Sequence, residues 1–77
     1  MRRLGTLSRI AQGRGIVELD GAEPPPTGAT VVDEALEDVG EVIDVVGPVS
    51  APWAVVDPVA TEVLVDRLGQ RLYLRTD

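Results

Sequence analysis

The sequence predicts an all-β fold, a small six-stranded barrel that is closed or nearly closed and carries at most one short helical turn. Three observations predict it. Short runs rich in Val, Ile and Leu recur along the chain, several with apolar and polar residues in alternation. Eight Gly and six Pro in 77 residues break these runs apart. Helical spacing is found over one stretch alone, Val59 to Leu68, where the Val content weakens it. A chain of this length makes one domain, residues 1–77, and a domain near this size buries only roughly 60% of the surface its unfolded chain exposes. Closing the sheet on itself also removes the exposed edges that invite association.

Taken in order, Leu4 to Ile10 forms a first strand, with apolar residues at 4, 7 and 10, and ends at Gln12-Gly13. Gly15-Ile16-Val17-Glu18-Leu19 alternates and forms a second strand, so a hairpin closes over Ala11 to Arg14. Residues 20–28 are a Pro-rich surface loop; Pro24-Pro25-Pro26 cannot donate to a ladder and favours an extended polyproline conformation. Ala29 to Asp33 carries β-branched Thr30, Val31 and Val32 and forms a third, short strand. Glu34 to Asp38, crowded with acids, is a solvated turn. The clearest strand is Gly40 to Val46, stopped by Gly47-Pro48. Val49 to Pro52 then turns the chain into Trp53-Ala54-Val55-Val56, closed by Asp57-Pro58, and the two strands make the central hairpin. After the 59–68 stretch, Gly69-Gln70 resets the chain before Arg71-Leu72-Tyr73-Leu74-Arg75, a last strand of strict alternation.

Composition excludes most small-domain chemistry. Cys, His and Lys are absent, so there are no disulfides, no usual structural zinc ligands, no thiolate or imidazole for a nucleophilic triad, and no lysine for a Schiff base, a P-loop or a lipoyl arm. A binding or adaptor role, or carboxylate chemistry, is what remains; paired catalytic carboxylates need a cleft that a domain this small rarely encloses, so no catalytic residue, cofactor or metal is expected. Trp53 and Tyr73 are the two aromatics, too few for an RNA-recognition sheet. The basic start Met1-Arg2-Arg3 has no apolar segment after it, and no run is long enough to span a bilayer, so a soluble cytoplasmic protein is expected.

The net charge of −6 is unevenly spread. Residues 1–14 hold four Arg and no acid, residues 15–66 twelve acids and no base, and residues 67–77 three Arg and one Asp. Acid-rich chains without Lys fit cells that accumulate salt, since carboxylates retain hydrated cations; a coding bias toward Arg, Ala, Val, Gly and Pro is the rival explanation. If the first and last strands pair, the seven Arg converge on one side. They then contact RNA phosphates, pair with an acidic partner, or balance the chain's own carboxylates.

Asp33, Glu34, Glu37 and Asp38 are the densest carboxylates, but they lack the spacing of a calcium loop and read as a solvated acidic turn. Asp44 interrupts the most apolar strand. Alternation puts Val42, Asp44 and Val46 on one face and Ile43 and Val45 on the other, with Asp44 at the barrel rim capping a turn. The best site candidate is Gly47-Pro48-Val49-Ser50-Ala51-Pro52-Trp53. Its two prolines stiffen the segment, so less ordering entropy is lost on binding, and a rigid apolar loop suits a protein partner. Trp53 is either a binding anchor or a core filler. Pro24-Pro25-Pro26 reads as a stiff linker, since no flanking Arg or Lys orients it for an aromatic groove.

Several strings resemble the archaeal Gar/Naf family, the small barrel subunit of box H/ACA RNA-guided pseudouridylation ribonucleoproteins. They are Pro26-Thr27-Gly28-Ala29-Thr30-Val31-Val32-Asp33, Val39-Gly40-Glu41-Val42-Ile43-Asp44-Val45-Val46-Gly47-Pro48-Val49, Pro52-Trp53 and Gly69-Gln70-Arg71-Leu72-Tyr73. Val46 departs from the family's usual Phe and Trp53 from its usual Tyr. The resemblance implies a translation-factor-like barrel, monomeric outside its complex. It further implies a non-catalytic subunit in rRNA processing and ribosome biogenesis, bound to the catalytic domain of a dyskerin-type pseudouridine synthase and assisting placement and release of substrate RNA. Guide RNA is met only indirectly, through the complex. By matching position, Val46, Gly47, Pro48, Val49, Pro52 and Trp53 are the implied protein interface.

Two other readings stay open. Leu4-Gly5-Thr6-Leu7 with Gln12-Gly13-Arg14-Gly15 is similar to the opening of ribosome-maturation barrels, and Val39 to Val46 to a strand of photoreaction-centre-type barrels. Either would make the chain an adaptor for a ribosomal or other protein, although neither accounts for Gly47-Pro48-Val49 followed by Pro52-Trp53. A carboxylate-based metal-binding protein would instead show a calcium-dependent melting shift.

Overall fold

A computed structural model describes residues 2–21 and 23–75. Its elements are β1 (Arg2–Ala11), β2 (Arg14–Leu19), β3 (Thr30–Val32), β4 (Asp38–Val46), β5 (Trp53–Pro58), α1 (Thr61–Asp66) and β6 (Arg71–Leu74). The six strands form a closed antiparallel barrel in the order β1-β2-β5-β4-β3-β6, with β6 pairing back onto β1. The β1–β2 and β4–β5 hairpins are local; β2–β5 and the β3–β6–β1 seam join distant parts of the chain.

Strand boundaries exceed the sequence expectation where the partner strand extends them. β1 begins at Arg2 because Arg2 and Arg3 pair with Leu74 and Tyr73 at the far end of the chain. β5 does not stop at Asp57-Pro58 but runs through both, since Asp57 stands opposite Glu41 and Pro58 opposite Gly40. Of the 59–68 stretch only Thr61–Asp66 is helical.

The long strands β1 and β4 each serve two neighbours, and each carries two bulges. Leu4 and Ser8 are the extra residues in β1, Val39 and Ile43 those in β4. A bulge bends its strand and increases the local twist, which lets one strand lie on two sides of a small barrel. Buried Gly5 and Gly40 occupy equivalent crowded positions: a Cβ on Gly5 would run into the carbonyl of Glu18, and one on Gly40 into the carbonyl of Asp57.

The bore is filled by Leu4, Leu7, Val17, Val31, Val39, Val42, Ala54, Val56, Leu64, Leu72 and Leu74. Branched aliphatics suit so narrow an interior, and both aromatics lie outside this cluster. Leu64 is the one buried residue of α1. It enters next to Gly15, where an added Cβ would lie 3.0 Å from Leu64 Cδ2 and from Leu7 Cδ1, so the missing side chain makes room for it. The link from α1 to β6 is pinned to Leu7 on both sides, the Gly69 amide donating to the Leu7 carbonyl and the Leu7 amide to that of Gln70.

The Pro-rich loop is less linker-like than its composition suggests. Pro25 is buried between exposed Pro24 and Pro26. The Asp20 amide donates to the Leu4 carbonyl, and Arg2 to that of Glu23. No helix among the described residues is long and apolar enough to cross a membrane.

Candidate docking face

The β4–β5 hairpin places Val46 directly opposite Trp53. On β5, Ala54 and Val56 are fully buried, so Trp53 and Val55 point outward by alternation. Trp53 is half-buried against the barrel's outer surface. It lies outside the core cluster.

The alternation expected for β4 is corrected by its bulge. With Ile43 unpaired, the strand changes phase: Val42 is fully buried, Asp44 and Val46 are exposed, and Val45 packs back against the core. Val42 and Asp44 therefore lie on opposite faces. Asp44 does not cap a turn either; its Oδ1 accepts the amide of Val45, next to the bulge, at 2.8 Å.

The 47–52 loop extends this face. Gly47 has φ +95°, a conformation that strains any L side chain. It also passes under the indole, where a Cβ would sit 2.9 Å from Trp53 Cδ1. The Ala51 amide closes a tight turn onto the Pro48 carbonyl at 3.0 Å. Val49, at the tip of that turn, is completely exposed. Of the predicted residues, Val46, Gly47 and Trp53 are thus in mutual contact or register, Pro48 and Pro52 bracket the turn, and Val49 projects from it.

Three further residues join the face, two of them, Ile16 and Arg9, from strands remote in sequence. Ile16 of β2 stands opposite Val55, and both are half-buried on the outer surface. The Arg9 guanidinium lies 5.8 Å from the centre of the Trp53 ring, within reach of a cation–π attraction. A strip of Ile16, Val55, Trp53 and Val46 therefore runs across three strands. Alternation along β2 turns Ile16 outward with Glu18, and the β2–β5 register brings it to Val55.

β1 and β6 do pair, and several Arg residues are engaged within the chain. Arg67 donates to Asp33 at 2.8 Å and approaches Glu37 at 3.6 Å. Arg75 pairs with Asp38 at 2.8 Å, Arg3 lies 3.9 Å from Asp20, and Arg9 covers Trp53. Much of the basic charge balances the chain's own acids.

The 33–38 turn also departs from a wholly solvated acidic loop, because Asp33 is buried. Its Oδ1 accepts the amides of Ala35 and Glu37, and its Oδ2 accepts Arg67. Burial alone would raise its pKa, but the Glu37 amide, the Arg67 guanidinium and the Ala35 amide together outweigh burial and hold the carboxyl below its usual value. Among the described residues no group of three acidic side chains is placed to hold a metal ion. An open depression of about 270 Å³ is lined by Thr30, Asp38, Gly40, Glu41, Asp57, Pro58 and Val59, at the end of the hairpin away from Trp53.

No protein-family model matches the chain, and no curated protein matches it significantly.

Proposed function

We propose that the chain is a non-catalytic docking subunit that binds a protein partner through the outer face of its β4–β5 hairpin. The partner proposed is the catalytic domain of a dyskerin-type pseudouridine synthase in a cytoplasmic H/ACA ribonucleoprotein, where the barrel assists substrate RNA placement and release. One observation carries the docking reading: Trp53 and Val46 form an outward cross-strand pair that continues into a stiff loop ending in fully exposed Val49. An aromatic anchor ringed by apolar neighbours is the usual centre of a protein interface. The synthase as partner is supported by the likeness of residues 26–33, 39–49, 52–53 and 69–73 to the Gar/Naf family, a resemblance that implies Val46 to Val49, Pro52 and Trp53 as the interface.

The test is to mix the purified chain with the pseudouridine synthase of the same cell, without RNA, and follow co-elution. Binding without RNA supports the adaptor role. Two folded proteins that elute separately overturn it.

A further inference from the structure

The docking face continues along the hairpin beyond its apolar end. In register on the outer surface, Val46 faces Trp53, Asp44 faces Val55, and Glu41 faces Asp57. Within three rungs the surface passes from two apolar side chains, through a carboxylate beside a valine, to two carboxylates directly opposed. Among the described residues the ion pairs engage Asp20, Asp33, Glu37 and Asp38, and none reaches Glu41, Asp44 or Asp57. Like charges opposite one another in an antiparallel pair are destabilising. The free barrel carries that repulsion beside its apolar anchor.

Asp44 limits what can seat there. A surface that covers Trp53 and Val55 also covers Asp44, which stands opposite Val55. Only Oδ1 of Asp44 is hydrogen-bonded, to the Val45 amide. Removing a carboxylate from water without a counter-charge opposes binding, whereas a charge-assisted partner reverses the sign. Glu41 and Asp57, on the next rung, add to the negative potential at the same place.

We propose that the partner's docking segment is apolar at one end and basic at the other. Its apolar side chains lie on Val46 and Trp53, and its Arg or Lys pairs with Asp44 and with the Glu41–Asp57 rung. This rests on the docking reading above and specifies the chemistry of the surface that docks.

The experiment titrates the synthase, without RNA, with the wild-type chain and with Trp53→Ala, Asp44→Asn, Asp44→Arg and the double variant Glu41→Gln/Asp57→Asn, at low and high salt. Thermal unfolding of each variant confirms its folding. Asparagine keeps an acceptor for the Val45 amide, so Asp44→Asn removes charge while sparing the bulge. The expected result is a loss of about tenfold for Asp44→Asn and about a hundredfold for Asp44→Arg, with wild-type affinity falling more steeply with salt than that of Asp44→Asn. The double variant should lose affinity as well. Wild-type affinity in all the charge variants, with binding lost in Trp53→Ala, would overturn the basic segment and leave the docking reading standing. Tighter binding by Asp44→Asn would also overturn it. Absence of binding by the wild-type chain would overturn both.

Discussion

Arg67 donates its Nε–H to Oδ2 of Asp33 across 2.8 Å and so ties the residue that follows α1 to the turn between β3 and β4. The same carboxylate orders that turn through the Ala35 and Glu37 amides, and the Asp33 amide donates to the Glu37 carbonyl. Leu36 is held there at φ 65° with its side chain exposed. One buried acid thus fixes a turn and anchors the far end of the helix that sends Leu64 into the bore.

This arrangement sets a pH dependence. The Asp33 pKa is lowered in the folded chain, so its contribution is fully present above the unfolded carboxylate range, about 3.9, and is lost as pH falls through the lower folded value. Asp33→Asn keeps the acceptor for the turn amides and loses the charge. It should cost about 2 kcal/mol at pH 7, with the difference from wild type shrinking below about pH 4. Denaturant unfolding at pH 7 and pH 3 measures both; a deficit that stays constant across that range would contradict the role given to the charge.

Trp53→Ala should leave the bore intact, because the indole lies outside it. We expect a stability loss of about 1 kcal/mol, against about 3 kcal/mol for Leu64→Ala, which empties a fully buried site. Melting curves of the two variants check the order. A Trp53→Ala loss as large as that of Leu64→Ala would place the indole in the core.

Gly40→Ala should be among the most damaging of the small substitutions. Its Cβ would meet the Asp57 carbonyl and lie 2.9 Å from Pro58 Cα, both backbone atoms of the paired strand that cannot rotate away. A cost of about 3 kcal/mol follows from the forced backbone shift. Gly5→Ala should behave alike against Glu18, and chemical denaturation of either variant is the check.

Salt should stabilise the chain. Twelve acids and no base between residues 15 and 66, with Glu41 opposite Asp57, leave self-repulsion that counter-ions screen. The melting temperature is expected to rise from low to molar salt, and to rise less in Asp57→Asn. A flat wild-type curve would remove the charge argument.

Much of the barrel was legible in the sequence because strand signals are local. Gly15 to Leu19 and Arg71 to Leu74 alternate as half-buried strands must, and Gly47-Pro48 stops β4 where the glycine's positive φ requires it. The candidate loop was legible for the same reason, since proline stiffness and exposed apolar residues need no partner strand. Asp44 was not. Strict alternation keeps Asp44 and Val46 on the face of Val42, whereas the extra residue Ile43 turns both to the opposite, outer face. Arg9 carried no sign of belonging to the same surface as Trp53, and nothing in sequence set Ile16 beside Val55.

The sequence by itself determined that this is a small β domain without thiol, imidazole or lysine chemistry, its strands spaced by Gly and Pro and its one rigid apolar loop ending at Trp53. Tertiary structure decided which residues meet: the β2–β5 register that brings Ile16 to Val55, the bulge that turns Asp44 outward, and the burial of Asp33 against Arg67. Residue type and neighbour spacing act over a few bonds and are written in order along the chain. Register, bulges and buried ion pairs are settled between segments that meet only when the barrel closes.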